Sequence, residues 1–99
     1  MPVASKRGDM LPNSVEKAIS ILSQDSAGFF LMVEGSQIDY QGHNNNTGEL
    51  INEMVDFDKA IGKALEFAQK DGNTLVVITA DHETGAFSIL DGNFETAIS

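Results

Sequence analysis

The chain has 99 residues, with six Lys or Arg and fifteen Asp or Glu, so its formal net charge is -9 and its pI is near 4.3. This acidity argues against nucleic acid as a partner, because phosphate backbones are bound by clustered basic residues. The absence of Cys excludes a disulfide framework and thiolate metal sites. One soluble domain is the most that this length supports, and no apolar stretch is long enough for a membrane span.

The N-terminal part of the sequence predicts an irregular lead-in followed by a helix. Residues 1–11 show no apolar periodicity. Helical spacing then begins after Pro12, and the apolar positions that follow it are Val15, Ala18, Ile19 and Leu22. Asn13 and Glu16 resemble a capping box. We therefore expect a helix over about residues 14–24.

The rest of the chain predicts strands around one long helix. FFLMV over 29–33 and LVVI over 75–78 are short apolar runs, as in strands buried on both faces. Between them, residues 34–47 are expected to form a loop, and a helix of about 22 residues should follow, with Asn46 and Glu49 at its start and Gly72 past its end. A weaker third strand is predicted over 86–90, before a polar tail over 91–99.

This order of elements predicts the α/β class, with a βαβ fragment of a mostly parallel sheet flanked by helices. The strands near 29–34 and 74–80 should be adjacent and parallel, with the long helix on one face. The predicted organisation is a lead-in over 1–11, an α-β-α-β-β region over 12–90 and a tail over 91–99. Exposed strand edges and an uncovered apolar face would favour self-association, so a homo-oligomer is a possible state.

Five potential metal ligands follow the two predicted strands. In parallel sheets, ligands bind beyond the carboxyl ends of the strands. Carboxylate oxygen and imidazole nitrogen suit zinc, and a further carboxylate suits Mg²⁺. The five side chains expected at this end of the sheet are Glu34, Asp39, His43, Asp81 and His82.

Each of these residues also has a plainer interpretation. Asp39 fits an ordinary turn residue, and His43 fits a solvated loop histidine. His82 can be satisfied by Asp81 or by a backbone carbonyl without a metal. Glu34 differs, because an acid that closes a buried apolar run needs a partner.

Two segments together resemble the central metal-binding region of alkaline phosphatases. VEGSQIDYQGHNNN matches an E-G-x-x-I-D-x-x-x-H segment, and LVVITADHETG matches a T-A-D-H segment. The resemblance implies a phosphomonoesterase that binds two zinc ions and one magnesium ion and reacts through a phosphoserine. It places Glu34 on the magnesium ligand, Asp39 and His43 on the first zinc, and Asp81 and His82 on the second. It also implies a phosphate monoester substrate and export to the periplasm or the cell exterior.

Several residues of the family pattern have no counterpart in this sequence. These are the nucleophilic serine, the N-terminal Asp ligand, the phosphate-binding Arg and the last zinc histidine, so no catalytic residue is assigned. Ser36 lies in the ligand loop and is interpreted as a turn residue. Tyr40 follows the Asp ligand at a position that varies in the family, so metal preference is not inferred from it. We therefore expect a single partial domain, inactive alone, with weak or incomplete metal sites.

Two functions from different classes follow. The first is part of an alkaline phosphatase, and the second is a non-catalytic acidic module for metal binding or protein interaction. A gene that encodes the missing serine and Arg would favour the first function.

Overall fold

The computed structural model describes residues 2–89, and this part of the chain contains four helices. They are α1 (Ala4–Arg7), α2 (Met10–Leu22), α3 (Gln37–His43) and α4 (Thr47–Asp71). The long helix α4 contacts the other three, so it is the element against which the structure is organised. Within residues 2–89, no helix has both the length and the apolar character needed to cross a bilayer.

The helix predicted over 14–24 is present as α2, but it begins at Met10. Pro12 lies in its first turn, where a proline breaks no helical hydrogen bond. Val15 and Ile19 are buried on the face that packs against α4. The periodicity therefore identified the buried face correctly, and the start was set too late because the proline was taken as a boundary.

Both ends of α4 follow from the residues that the sequence indicated. The side chain of Asn46 accepts a hydrogen bond from the backbone N–H of Glu49 at 3.1 Å, which satisfies one free donor of the first turn. Gly72 ends the helix with φ of 77°, in the left-handed conformation that glycine adopts most easily. The helix has 25 residues, slightly more than predicted.

The core is small and lies between α2, α4 and the segment after α2. Its buried residues are Val15, Ile19 and Ala60. Half-buried apolar side chains surround them, namely Leu11, Leu31, Val33, Ala64 and Phe67. Phe29 also contacts Phe67, with ring centroids 6.0 Å apart. The apolar run after α2 therefore supplies the outer layer of a helical core.

The prediction of a βαβ fragment with a parallel sheet is wrong for the described residues. Neither the segment over 29–34 nor that over 74–80 forms a strand, and no sheet is present in residues 2–89. A strand needs a neighbour whose backbone groups pair with its own, and these two segments do not pair with each other. Apolar composition predicted strands at these positions, but it did not supply a backbone partner for either segment.

The apolar side chains of these two segments are only partly buried. Leu31 and Val33 pack against the core, whereas Phe30 and Met32 are 88% and 77% exposed. In the second segment, Leu75 and Val77 are 86% and 74% exposed. One side of each segment therefore lies against solvent, where burial on both faces was expected.

Three further regions differ from the sequence predictions or lie outside the described residues. The lead-in contains α1 and the start of α2, and the loop over 34–47 contains α3. Residues 86–89 of the predicted third strand are irregular. Residue 90 and the tail over 91–99 lie outside the described residues.

Candidate functional site

Helix α3 brings the first predicted ligand pair together. Asp39 and His43 are four residues apart, so their side chains lie on the same face of this helix. Nε2 of His43 is 3.5 Å from Oδ2 of Asp39, and both side chains are accessible to solvent. The D-x₃-H spacing was a signal for this arrangement, although the sequence analysis treated the segment as a loop.

The second predicted pair lies in the segment that follows the second apolar run. Nε2 of His82 is 3.5 Å from Oδ2 of Asp81, and these side chains are also exposed. The two residues are adjacent in sequence, so the local backbone is sufficient to hold them together. Each pair therefore presents one imidazole nitrogen and one carboxylate oxygen to the solvent.

The ring of His82 is oriented by the backbone. Its Nδ1 lies 2.8 Å from the carbonyl oxygen of Glu83, which can act only as an acceptor. Nδ1 therefore carries the proton in this contact. The hydrogen bond, and next the negative charge of Asp81, raise the pKa of His82 above the ordinary histidine value. In the neutral ring, the lone pair is then on Nε2, the atom that faces Asp81.

Thr84 connects the two pairs, and the sequence analysis did not identify it. Its hydroxyl donates a hydrogen bond to Oδ1 of Asp39. The same hydroxyl oxygen is 3.2 Å from Nδ1 of His82. Threonine is common in turns, and the partner in α3 is 45 positions away in sequence. The sequence therefore gave no signal for this contact.

A tight turn places Thr84 against α3. Gly85 and Ala86 have φ of 69° and 57°, the signs expected at the two central positions of a type I′ turn. The carboxylate of Glu83 accepts a hydrogen bond from the backbone N–H of Ala86 at 2.9 Å, which supports the turn. A Cβ atom at Gly85 would lie 2.5 Å from the carbonyl oxygen of Gly42. Close approach of the turn to α3 therefore requires glycine at position 85.

Glu34 does not behave as the sequence argument expected. Its side chain is exposed, so water solvates the carboxylate and burial does not force it to find a partner. Contacts link the other four predicted ligands, through Thr84. Across residues 2–89, no group of three or more His, Cys, Asp or Glu side chains is close enough to hold one ion.

The donor atoms fit zinc in type and in spacing. Two ligand atoms at 2.0–2.1 Å from a tetrahedral ion lie about 3.3 Å apart. The nitrogen-to-oxygen distance is 3.5 Å in both pairs. The same distance also suits an ion pair with a protonated imidazole. Each pair provides two ligands, which is fewer than the three protein ligands of a typical catalytic zinc site.

Comparisons with known proteins agree on one family. The sequence profile of the family described as alkaline phosphatase matches residues 4–97. The chain is 53% identical over 79 residues to alkaline phosphatase 3 of Bacillus subtilis, covering 80% of this chain and 17% of that protein. It is 51% identical over 80 residues to the alkaline phosphatase of Escherichia coli, covering 78% of this chain and 17% of that protein.

A solved structure is similar in backbone as well as in sequence. It is TAB5 alkaline phosphatase, in a variant with one histidine replaced by glutamate and with Mg bound. The TM-score is 0.82 and the identity 58%, over 86% of this chain and 25% of that chain. This coverage exceeds the four helices together, so irregular segments superpose too. The chain spans about a sixth of the length of the curated relatives that it matches.

Proposed function

Since the chain belongs to the alkaline phosphatase family, we propose that it forms part of the metal centre of an enzyme that hydrolyses phosphate monoesters. The observation that carries this proposal is the link from Asp39 through Thr84 to His82, which brings two ligand segments together from distant parts of the sequence. The proposed substrate class rests on the family.

The ligand roles are proposed residue by residue. Asp39 and His43 would hold one zinc ion, and Asp81 and His82 a second. Glu34 would hold magnesium, and its carboxylate is exposed to solvent and therefore accessible to an ion. The Mg in the TAB5 variant supports a magnesium site in this family. When bound, such ions supply Lewis-acid stabilisation of the attacking and leaving oxygens in phosphoryl transfer.

The residues of this chain have two tasks in that chemistry, and one of them depends on pH. The carboxylates provide negative charge that offsets the bound cations. The bond from Nδ1 of His82 to the Glu83 carbonyl keeps the lone pair on Nε2, the atom that can bind an ion. The raised pKa of His82 means that a proton competes with metal, so binding should weaken as the pH falls.

The first test is metal binding by calorimetry on the 99-residue chain. We expect weak Zn²⁺ binding that is lost when His43 and His82 are both replaced by Ala. Replacing Asp58, an exposed acid of α4, by Ala is the control and should leave the binding unchanged. Equal Zn²⁺ binding by the double variant and the wild type would contradict the ligand assignment. It would favour the alternative of a non-catalytic acidic module that attracts cations through its net charge.

The second test is activity with a chromogenic phosphate ester, Zn²⁺ and Mg²⁺ at alkaline pH. The chain alone should not release phosphate at a useful rate, because no matched residue supplies a nucleophile or a guanidinium for the phosphate. Deleting a nucleophile costs about six orders of magnitude in turnover in a serine protease. Release that is present in the wild type and absent in Asp81→Ala would show that the activity belongs to this chain, with a side chain or metal-bound water as the nucleophile, and would contradict the expectation of an inactive fragment.

The location and assembly of the whole protein are proposed from the family. Export to the periplasm or the cell exterior is the expected location for the enzyme, as for bacterial alkaline phosphatases. Homo-oligomerisation stays a prediction of the sequence.

A further inference from the structure

We propose that Thr84 is a positioning residue, which fixes the two ligand segments relative to each other before any ion binds. The metal-binding role of the two segments is taken from the proposed function. The positioning role of Thr84 is argued from the turn and its contacts. Thr84 is neither an expected metal ligand nor an expected nucleophile. Its place between Asp39 and His82 is the feature that the ligand assignment leaves unexplained.

The hydrogen-bond directions are set by the neighbours of Thr84. A carboxylate only accepts, so the hydroxyl proton of Thr84 is directed to Oδ1 of Asp39. The hydroxyl oxygen then has lone pairs for Nδ1–H of His82, at 3.2 Å. Nδ1–H is shared with the Glu83 carbonyl at 2.8 Å. The result is a connected series from His82 through Thr84 to Asp39.

This series leaves the other side of each ligand available. Oδ1 of Asp39 is taken by Thr84, whereas Oδ2 faces Nε2 of His43. Nδ1 of His82 is taken by Glu83 and Thr84, whereas Nε2 faces Oδ2 of Asp81. Partners that bind the far side of a ligand orient it and affect metal affinity by about 10- to 100-fold. One hydroxyl thus orients a ligand in each pair.

The fit of the turn on α3 explains how the hydroxyl reaches Asp39. A Cβ at Gly42 would lie 3.0 Å from Cβ of Thr84, so the turn and the helix are in close contact. At Gly85 the contact is closer still, with the Gly42 carbonyl oxygen 2.5 Å from the position of a Cβ. A side chain at position 85 must therefore push the turn away from α3 and separate Thr84 from Asp39.

Four variants separate the hydroxyl from the shape of the turn. Thr84→Val keeps the size of the side chain and removes the donor, and Thr84→Ser keeps the hydroxyl. Gly85→Ala introduces the collision with α3. Gly72→Ala is its matched control, because Gly72 has a similar positive φ of 77° but no atom within 4 Å of the added Cβ. Both glycine variants therefore introduce backbone strain, but only Gly85→Ala also introduces a collision with α3.

The first measurement is NMR relaxation of the full chain without metal. We expect residues 83–86 to become more mobile on the nanosecond timescale in Thr84→Val and Gly85→Ala. In Thr84→Ser and Gly72→Ala, their mobility should equal that of the wild type. Unchanged mobility in Thr84→Val would overturn the inference, whatever the chain binds.

The second measurement is selective broadening of NMR signals by Mn²⁺. In the wild type and Thr84→Ser, the signals of residues 39–43 and 81–82 should broaden at the same Mn²⁺ concentration. In Thr84→Val, about 10- to 100-fold more Mn²⁺ should be needed. Equal Mn²⁺ response in Thr84→Val and the wild type would also overturn the inference. If the wild type shows no selective broadening, the two ligand segments do not bind Mn²⁺ in this chain alone, and the relaxation result decides the role of Thr84.

Discussion

Arg7 lies between two carboxylates of α4 and is almost wholly removed from solvent. Its guanidinium donates to Glu53 at 2.7 Å and to Asp56 at 2.6 Å, and the side chains of Arg7 and Glu53 are 3% and 2% exposed. The hydrogen bond to Glu53 is the largest cause that raises the pKa of Arg7, and burial acts against it. The backbone N–H of Ala4 also donates to Glu53. The N-terminal segment is thus attached to α4 through buried charge.

Replacing Arg7 by Leu should destabilise the chain far more than replacing its neighbour Lys6 by Leu. The first change leaves two buried carboxylates without their cation, and breaking a buried ion pair in this way costs about 3–5 kcal/mol. Lys6 is exposed and provides the same change in charge. Urea denaturation would measure both free energies of unfolding, and equal values would show that Arg7 makes no net contribution.

The raised pKa of His82 has a direct consequence for the metal-free chain. In the folded state His82 should titrate above its unfolded value, so protonated His82 stabilises the fold at low pH. This contribution is lost as the pH rises through the folded-state pKa. Asp81→Asn should lower the pKa of His82 but leave it raised, because the bond to the Glu83 carbonyl is the larger cause. An NMR titration measures the pKa of His82 in each variant, and the control Asp58→Asn should leave it unchanged. The same His82 pKa in Asp81→Asn and the wild type would contradict this expectation.

At the scale of elements, helix α2 is held by a small number of buried contacts. Ile19 is 7% exposed and packs near Ala60 of α4, whereas Ile21 of the same helix is 56% exposed. An exposed ion pair between Glu16 and Lys63 also joins the two helices, at 3.2 Å. Such exposed pairs contribute little, so the apolar contact determines the position of α2.

The two isoleucines of α2 give a matched test of this packing. Ile19→Ala should lower the free energy of unfolding by about 2–5 kcal/mol, through lost burial and the cavity left behind. Ile21→Ala should change it by about 0.5 kcal/mol or less, as is usual for exposed positions. Thermal or urea unfolding followed by circular dichroism measures both. Similar losses in the two variants would mean that α2 does not pack through Ile19.

At the scale of the whole molecule, the exposed apolar residues are concentrated in segments without paired backbones. Phe30 and Met32 in the first segment, and Leu75 and Val77 in the second, are all more than 70% exposed. Large exposed apolar surfaces promote association. The net charge of -9 opposes it through repulsion, and salt screens this repulsion. Association should therefore increase with ionic strength.

Light scattering coupled to size exclusion tests this expectation over a range of protein and salt concentrations. The wild type should form larger species as the salt concentration increases. A double variant with Phe30→Ser and Met32→Ser should contain more monomer than the wild type at the same salt concentration. The control is Met54→Ser with Val55→Ser, a pair about half exposed on α4, where the backbone is fully hydrogen-bonded within the helix. A wild type that stays monomeric at high salt would rule out this association.

The sequence was sufficient for features that depend on nearby residues. Asn46, Glu49 and Gly72 define the ends of α4, because a cap is formed by residues a few positions apart. The periodicity of Val15 and Ile19 identified the buried face of α2 for the same reason. The motifs around Asp39, His43, Asp81 and His82 indicated the family, and the comparisons confirmed it.

Only the tertiary structure decided how distant segments meet. Composition marked residues 29–33 and 75–78 as extended, but strand pairing needs a partner backbone, and the described residues supply none. The buried contacts of Arg7 with α4 and the link from Thr84 to Asp39 span more than 40 positions, so no local pattern signals them. The sequence by itself determined the helices α2 and α4 and the family. The meeting of the ligand segments and the absence of a sheet in the described residues depend on long-range contacts, which only the folded chain specifies.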